Sequence, residues 1–303
     1  MMDFLTNISD YLPLTPLATH IGITCLFAQV TLTLLFNKRT RILPDGPWNH
    51  LTMYTAHSVV AFPFMVILTY IGCRDWFFDR DAYGSSTATD RIFGYSNPRD
   101  IPLNYGSGAI LLWDVPMGFI SPPLQDPIMW AHHVGMFLVA LVMNGHFCKH
   151  GNMIGYYYAP YYFGVIELSS IFLSYVDIFH PKYKHYYNWL NGKQTDEKSK
   201  KLQGILNSVN EVARLLFAVT FLAFRGIYFP IVTFSRAIPD LIEAYETPPD
   251  GVPLWTFYFL TAMMGLFAVL QAYWGLLISK QIVKALGGGS HGKDKKKKTK
   301  KKE

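Results

Sequence analysis

Long apolar runs, repeated from one end of this chain almost to the other, decide what it can fold into. A bilayer's hydrocarbon core is about 30 Å thick and takes roughly 20 apolar helical residues to cross. Inside it, backbone N–H and C=O groups have no water to bond to, so a spanning segment has to satisfy them itself. Seven segments approach the required length: Leu17 to Phe36, Leu51 to Cys73, Gly106 to Ile120, Ile128 to Phe147, Tyr156 to Val176, Val212 to Phe234 and Leu254 to Ile278. The third is short and the fifth is rich in tyrosine, which leaves six or eight spans as alternatives. The expected fold is all-α, a multi-pass transmembrane helical bundle of about seven spans. Residues 1–46 form an N-terminal segment with the first span, 47–278 the main transmembrane domain, and 279–303 a disordered, lysine-rich tail.

The charges lie between the apolar runs, and their signs set an orientation. Lys38, Arg39 and Arg41 follow the first run; Lys182, Lys184, Lys193, Lys198, Lys200 and Lys201 follow the fifth; the lysine tail follows the seventh. Basic residues collect on the cytosolic side, and an odd count of spans places all three blocks there. The N-terminus is then lumenal and the C-terminus cytosolic. Met1 to Ser9 lacks the basic region of a cleaved signal peptide, and Asn7-Ile8-Ser9 is a glycosylation sequon on the lumenal side. Lys300 and Lys301, fourth and third from the end, resemble the dilysine signal that retrieves membrane proteins to the endoplasmic reticulum through coat machinery. Cys73 and Cys148 both fall near lumenal span ends, where a disulfide is permitted.

Ionisable residues inside lipid-spanning helices are costly and usually face a bundle interior. The adjacent pair His132-His133 lies within the fourth run, and an imidazole that titrates near neutrality suits proton transfer. Glu167, Ser170, Ser174 and Asp177 recur at offsets of zero, three, seven and ten, one face of a helix. Asn207, Asn210, Arg214 and Arg225 share a face of the sixth run, His50, Tyr54 and His57 a face at the start of the second, and the third contributes Asp114. Together they describe a polar interior enclosed by lipid-facing side chains, with structural hydrogen bonds between helices as the plainer reading.

The ordered set His57, Asp114 in a Trp-Asp-Val context, His132-His133, the stretch from Gly164 through Glu167 to Ser170, Asn210 and Phe221 to Gly226 resembles the TLC domain. That family includes ceramide synthases, the translocating-chain-associated membrane protein and a cargo receptor of the endoplasmic reticulum. The resemblance covers roughly Pro47 to Leu277. Ceramide synthases carry a further His-Asp-x-x-Asp between the histidine pair and the glutamate; Ala159, Pro160 and Phe163 stand in those places here. The resemblance therefore points to the shorter TLC-domain proteins.

Two function classes follow. In the first, the chain is a lipid acyltransferase with acyl-CoA as co-substrate and no bound cofactor. His132 or His133 takes a proton from a lipid amine or hydroxyl attacking the thioester, Asp114 or Glu167 orients the ring, and His57, Ser170, Ser174, Asp177, Asn210 and Arg225 line the substrate site. In the second, it binds without transforming, as a cargo receptor using the loop from Arg74 to Tyr105 or as a lipid sensor. No metal centre is expected, because one histidine pair cannot complete the coordination that histidine-rich iron enzymes need. Membrane lipids are the expected partners; nucleic acid is not, and self-association as a homo-oligomer stays open.

Overall fold

The computed structural model describes residues 14–40, 46–79, 87–94 and 101–287. The sequon at Asn7 and the lysines Lys300 and Lys301 lie outside these. Every regular element among the described residues is helical, as an all-α multi-pass membrane protein requires. Nine helices can be numbered in chain order. α1 is Pro16–Phe36, α2 Thr52–Phe78, α3 Ala88–Phe93, α4 the continuous stretch 101–120, and α5 Pro127–Met143. α6 is Glu167–Ile178, entered through a π-helical turn at Tyr161–Val165, followed by α7 Lys184–Asn191, α8 Glu197–Tyr245 and α9 Trp255–Gly287.

Four of these, α1, α2, α8 and α9, are long and apolar enough to cross a membrane; α5, with 17 residues, is a shorter apolar helix. The boundaries differ from the sequence reading in several places, and α9 runs to Gly287, nine residues into the segment read as a disordered tail. α4 starts five residues before Gly106, so the short third run becomes a 20-residue helix. Tyr156–Tyr158 form a separate 3-10 turn ahead of α6. The sixth run belongs to a helix of 49 residues, because the lysine-rich connection supplies its first turns. Asp196 starts that helix by accepting from the Ser199 N–H at 2.8 Å. Those hydrogen bonds hold the exposed Asp196 carboxyl below the usual carboxylate range. Side-chain caps with proline at the first helical position start two others: Thr15 before Pro16, and Asp126 before Pro127, where Asp126 accepts from the N–H groups of Ile128 and Met129 at 3.0 and 3.2 Å.

Two helix pairs meet backbone to backbone, which only glycine allows. A Cβ on Gly108 of α4 would lie 1.9 Å from the Ala18 carbonyl oxygen of α1, and one on Gly22 of α1 would lie 2.5 Å from the Gly108 carbonyl oxygen. Likewise Gly72 of α2 and Gly164 before α6 leave no room for a side chain on either. The largest buried cluster joins the tyrosine-rich stretch Tyr156 to Tyr162 with Trp76, Phe229 and Leu260, so all of the fifth run's tyrosines but Tyr175 are core. α3, in the loop from Arg74 to Tyr105, is tied to the end of α8 by the paired bonds of Arg91 to Asp240 at 2.5 and 2.6 Å. The thiols of Cys25, Cys73 and Cys148 are all unbonded, so no disulfide joins Cys73 to Cys148.

Candidate functional site

Asp114 ends the π-helical turn Ile110–Asp114 of α4. Such a turn adds a residue to the helical repeat and redirects the side chains that follow. The side chain of Asp114 is 12% exposed and divides its two oxygens between two helices. Oδ1 lies 2.8 Å from Nε2 of His57 on α2, and Oδ2 bonds Nδ1 of His133 on α5. Residues 57, 114 and 133, far apart in sequence, thus form one bridge.

A further shell holds this bridge. The His57 ring stacks on Trp113, centroids 4.7 Å apart. The Trp113 indole N–H donates to Gln29 Oε1 at 3.1 Å, and Gln29 Nε2 donates to the Met53 carbonyl at 2.9 Å. Gln29 was not among the residues singled out from sequence, and Trp113 entered only as the neighbour of Asp114. The only signal available was an uncharged amide in an apolar run. Among the described residues no group of three or more His, Cys, Asp and Glu side chains could hold a metal ion; the Asp114 oxygens are committed to separate rings.

His132, one residue away, faces the other direction. Its ring packs edge-on against Phe267 and Trp274 of α9, with centroids at 5.2 and 5.7 Å, and lies 5.6 Å from the His133 ring. It lines a cavity of about 20 Å³ whose remaining walls are mostly apolar, among them Met136, Val139 and Phe229. His132 Nδ1 is buried and has no hydrogen-bond partner among the described residues. The same holds for Oε1 of Gln271, a residue 1% exposed that lines the same cavity and was missed from sequence.

Arg225 forms a second buried polar group, inside the π-helical stretch Phe221–Tyr228 of α8. Its Nε donates to the Ile166 carbonyl at 3.0 Å and its Nη2 to Ser170 Oγ at 2.7 Å, with Glu167 Oε1 at 3.5 Å. Glu167 therefore contacts Arg225 and acts on His133 only through space.

The other expected site residues lie elsewhere. Ser174 Oγ turns back to the Ile171 carbonyl at 2.9 Å. Asp177 accepts from the hydroxyls of Tyr54 and Tyr183 at 2.9 and 3.2 Å and pairs with Lys182 at 3.2 Å. Burial works against the charge of Lys182, but Asp177 and the Tyr183 hydroxyl together outweigh it and raise the lysine above its ordinary value. The polar stripe of α6 thus splits, its first half meeting α8 and its last residue closing a separate cluster. Asn210 is buried against α6 with its Oδ1 unpartnered among the described residues. Arg214 is not on that buried face. It is half exposed and reaches Glu211 at 3.4 Å, whereas the widened turns from Phe221 rotate Arg225 relative to a regular helix. His50 is also separate, stacked on His185 at 4.3 Å.

Comparison with curated proteins and with solved structures gives no match. A family model, described as the TLC domain, matches residues 47–280. That stretch holds every residue of the Asp114 bridge and the His132 cavity, and the chain belongs to the TLC-domain family.

Proposed function

We propose that the chain acts in acyl-lipid or sphingolipid metabolism in the endoplasmic reticulum membrane, as an acyl-CoA-dependent acyltransferase built on the histidine pair. It crosses seven times with its N-terminus in the lumen. α4, α5 and the helix through α6 are the three crossings beyond the four long ones. The observation that carries this reading is the division of labour within the pair. His133 is backed by a carboxylate, as a general base needs in order to hold the imidazolium it becomes. His132 stands at an apolar cavity with its Nδ1 buried and unused.

In the transfer step, His133 takes the proton from a lipid amine or hydroxyl as that group attacks the thioester carbon. The acyl carbon–sulfur bond then breaks, and coenzyme A leaves as the thiol after taking a proton back. Asp114 and His57 fix the ring, and Arg225 keeps Glu167 and Ser170 in place behind it. A second reading, a lipid sensor or cargo receptor, is favoured by the places where ceramide synthases carry their extra carboxylates. Here Ala159, Pro160 and Phe163 are buried in the tyrosine core and supply no acid.

The test is untargeted lipidomics on cells lacking the protein, re-expressing either the wild type or the His132→Ala/His133→Ala double variant at equal levels. The acyltransferase reading expects one lipid class to be restored by the wild type alone. Equal restoration by both would reduce the pair to structure.

A further inference from the structure

Two buried polar atoms without partners face one another's cavity. Gln271 is flanked on its own helix by the two rings that hold His132: Phe267, four residues before it, and Trp274, three residues after it. All three share a face of α9, which sets the amide opposite the imidazole. Both Gln271 Oε1 and His132 Nδ1 lack partners among the described residues, and both residues line the cavity. Buried polar groups in a folded protein are almost always satisfied, so an orphan pair on one cavity calls for a third group between them.

We propose that Gln271 is a positioning residue which, with His132, binds the hydroxyl of an otherwise apolar lipid. A hydroxyl is donor and acceptor at once: it donates to Gln271 Oε1 and accepts from the Nδ1–H tautomer of His132. No charged side chain lines the cavity among the described residues, so a phosphate or an ammonium would be buried unpaired, at high cost. The α5 wall of the cavity is one face of the helix, where His132, Met136, Val139 and Met143 stand at offsets of zero, four, seven and eleven. That is about 16 Å of helix, apolar throughout beyond the histidine. The volume of about 20 Å³ is room for about one water, so a hydrocarbon chain has to part the side chains along this face. Methionines are the side chains best able to move aside for a hydrocarbon chain, and Met136, Met143 and Met264 all border the cavity. The inference rests on the reading that lipid enters this cavity, and not on acyl transfer.

The experiment uses the purified full-length protein in dioleoylphosphatidylcholine nanodiscs, titrated with oleyl alcohol or with oleyl methyl ether, which keeps the oxygen and loses the donor. Affinity is read from the rise in Tm against mole fraction in the bilayer. The wild type should prefer the alcohol about tenfold, the worth of one good hydrogen bond. Gln271→Leu should lose the preference while its Tm without additive is unchanged or higher, and Gln271→Asn should keep part of it. Equal binding of alcohol and ether by the wild type would overturn the proposal and leave the two atoms bridged by a water. A preference that survives Gln271→Leu would overturn it too. Should Gln271→Leu not fold, the wild-type titrations with His132→Phe as the second variant decide in the same way. A wild type that selects the alcohol in nanodiscs yet restores no lipid class in cells keeps this inference and sinks the transfer step. The converse pattern sinks this inference alone.

Discussion

His132 and His133 share a peptide bond, yet the regions on either side of it obey opposite rules. Around Asp114, each polar group has its partner: His133 and His57 share Asp114, and Trp113 and Gln29 hold the ring behind them. At the His132 cavity, His132 Nδ1 and Gln271 Oε1 are buried and unpartnered among the described residues, in walls of Met, Val and Phe. Inside a bundle, a satisfied network rigidifies what it joins. An unsatisfied pair carries a standing cost that a ligand can remove. The paired side is therefore built for geometry and the unpaired side for capture.

The largest effect that would sharpen this contrast is expected from Asp114→Leu. It strands two imidazoles in the bundle, and the loss of a buried partner costs about 3–5 kcal/mol. Thermal unfolding in nanodiscs should show a large drop in Tm; a drop no larger than that of a surface variant would mean the bridge is not structural. Gly108→Ala follows, at about 2 kcal/mol, because the new methyl meets the Ala18 carbonyl and forces α1 away from α4. The histidines then give the direct comparison. His133→Leu should cost about 1–2 kcal/mol through its lost charge-assisted bond, whereas His132→Leu should leave Tm unchanged or higher while abolishing any lipid-dependent readout. Equal losses from the two would erase the distinction between the regions. The smallest effect belongs to Lys182→Ala, under about 1 kcal/mol for a half-exposed pair with Asp177. A lysine raised in the folded state stabilises below its ordinary value of 10.5 and loses that contribution as pH rises through its folded value. The difference between wild type and Lys182→Ala should thus be flat from neutral pH to about 9 and vanish well above 10.5.

The helical class and the long runs were legible from hydropathy alone, because the bilayer's thickness imposes a length that any reader can count. The residues of the Asp114 bridge were legible one by one, as ionisable groups inside apolar runs. Their pairing was not, since periodicity relates positions on one helix and says nothing about which helices adjoin. Periodicity also misled where the helix itself changes pitch. Arg214 and Arg225 are eleven residues apart, on one face of a regular α-helix, yet Arg214 is half exposed and Arg225, inside the π-helical turns at Phe221–Tyr228, is buried. Glu167, Ser170, Ser174 and Asp177 do lie along one helix, but different neighbours divide them. Gln271 and Gln29 escaped notice because a neutral amide barely disturbs an apolar run.

The glycine contacts that join α1 to α4 and α2 to the entrance of α6 bear on how the molecule meets bilayers of different thickness. Helices touching through their backbones cannot slide past one another without opening that contact, so each pair answers a thicker or thinner membrane by tilting as one body. His57 and Asp114 belong to the two pairs, and Asp114 bonds across to both His57 and His133. Mismatch is therefore absorbed at the rim of the bundle, and the distances around Asp114 should be the same in a thin reticulum membrane as in a thicker one.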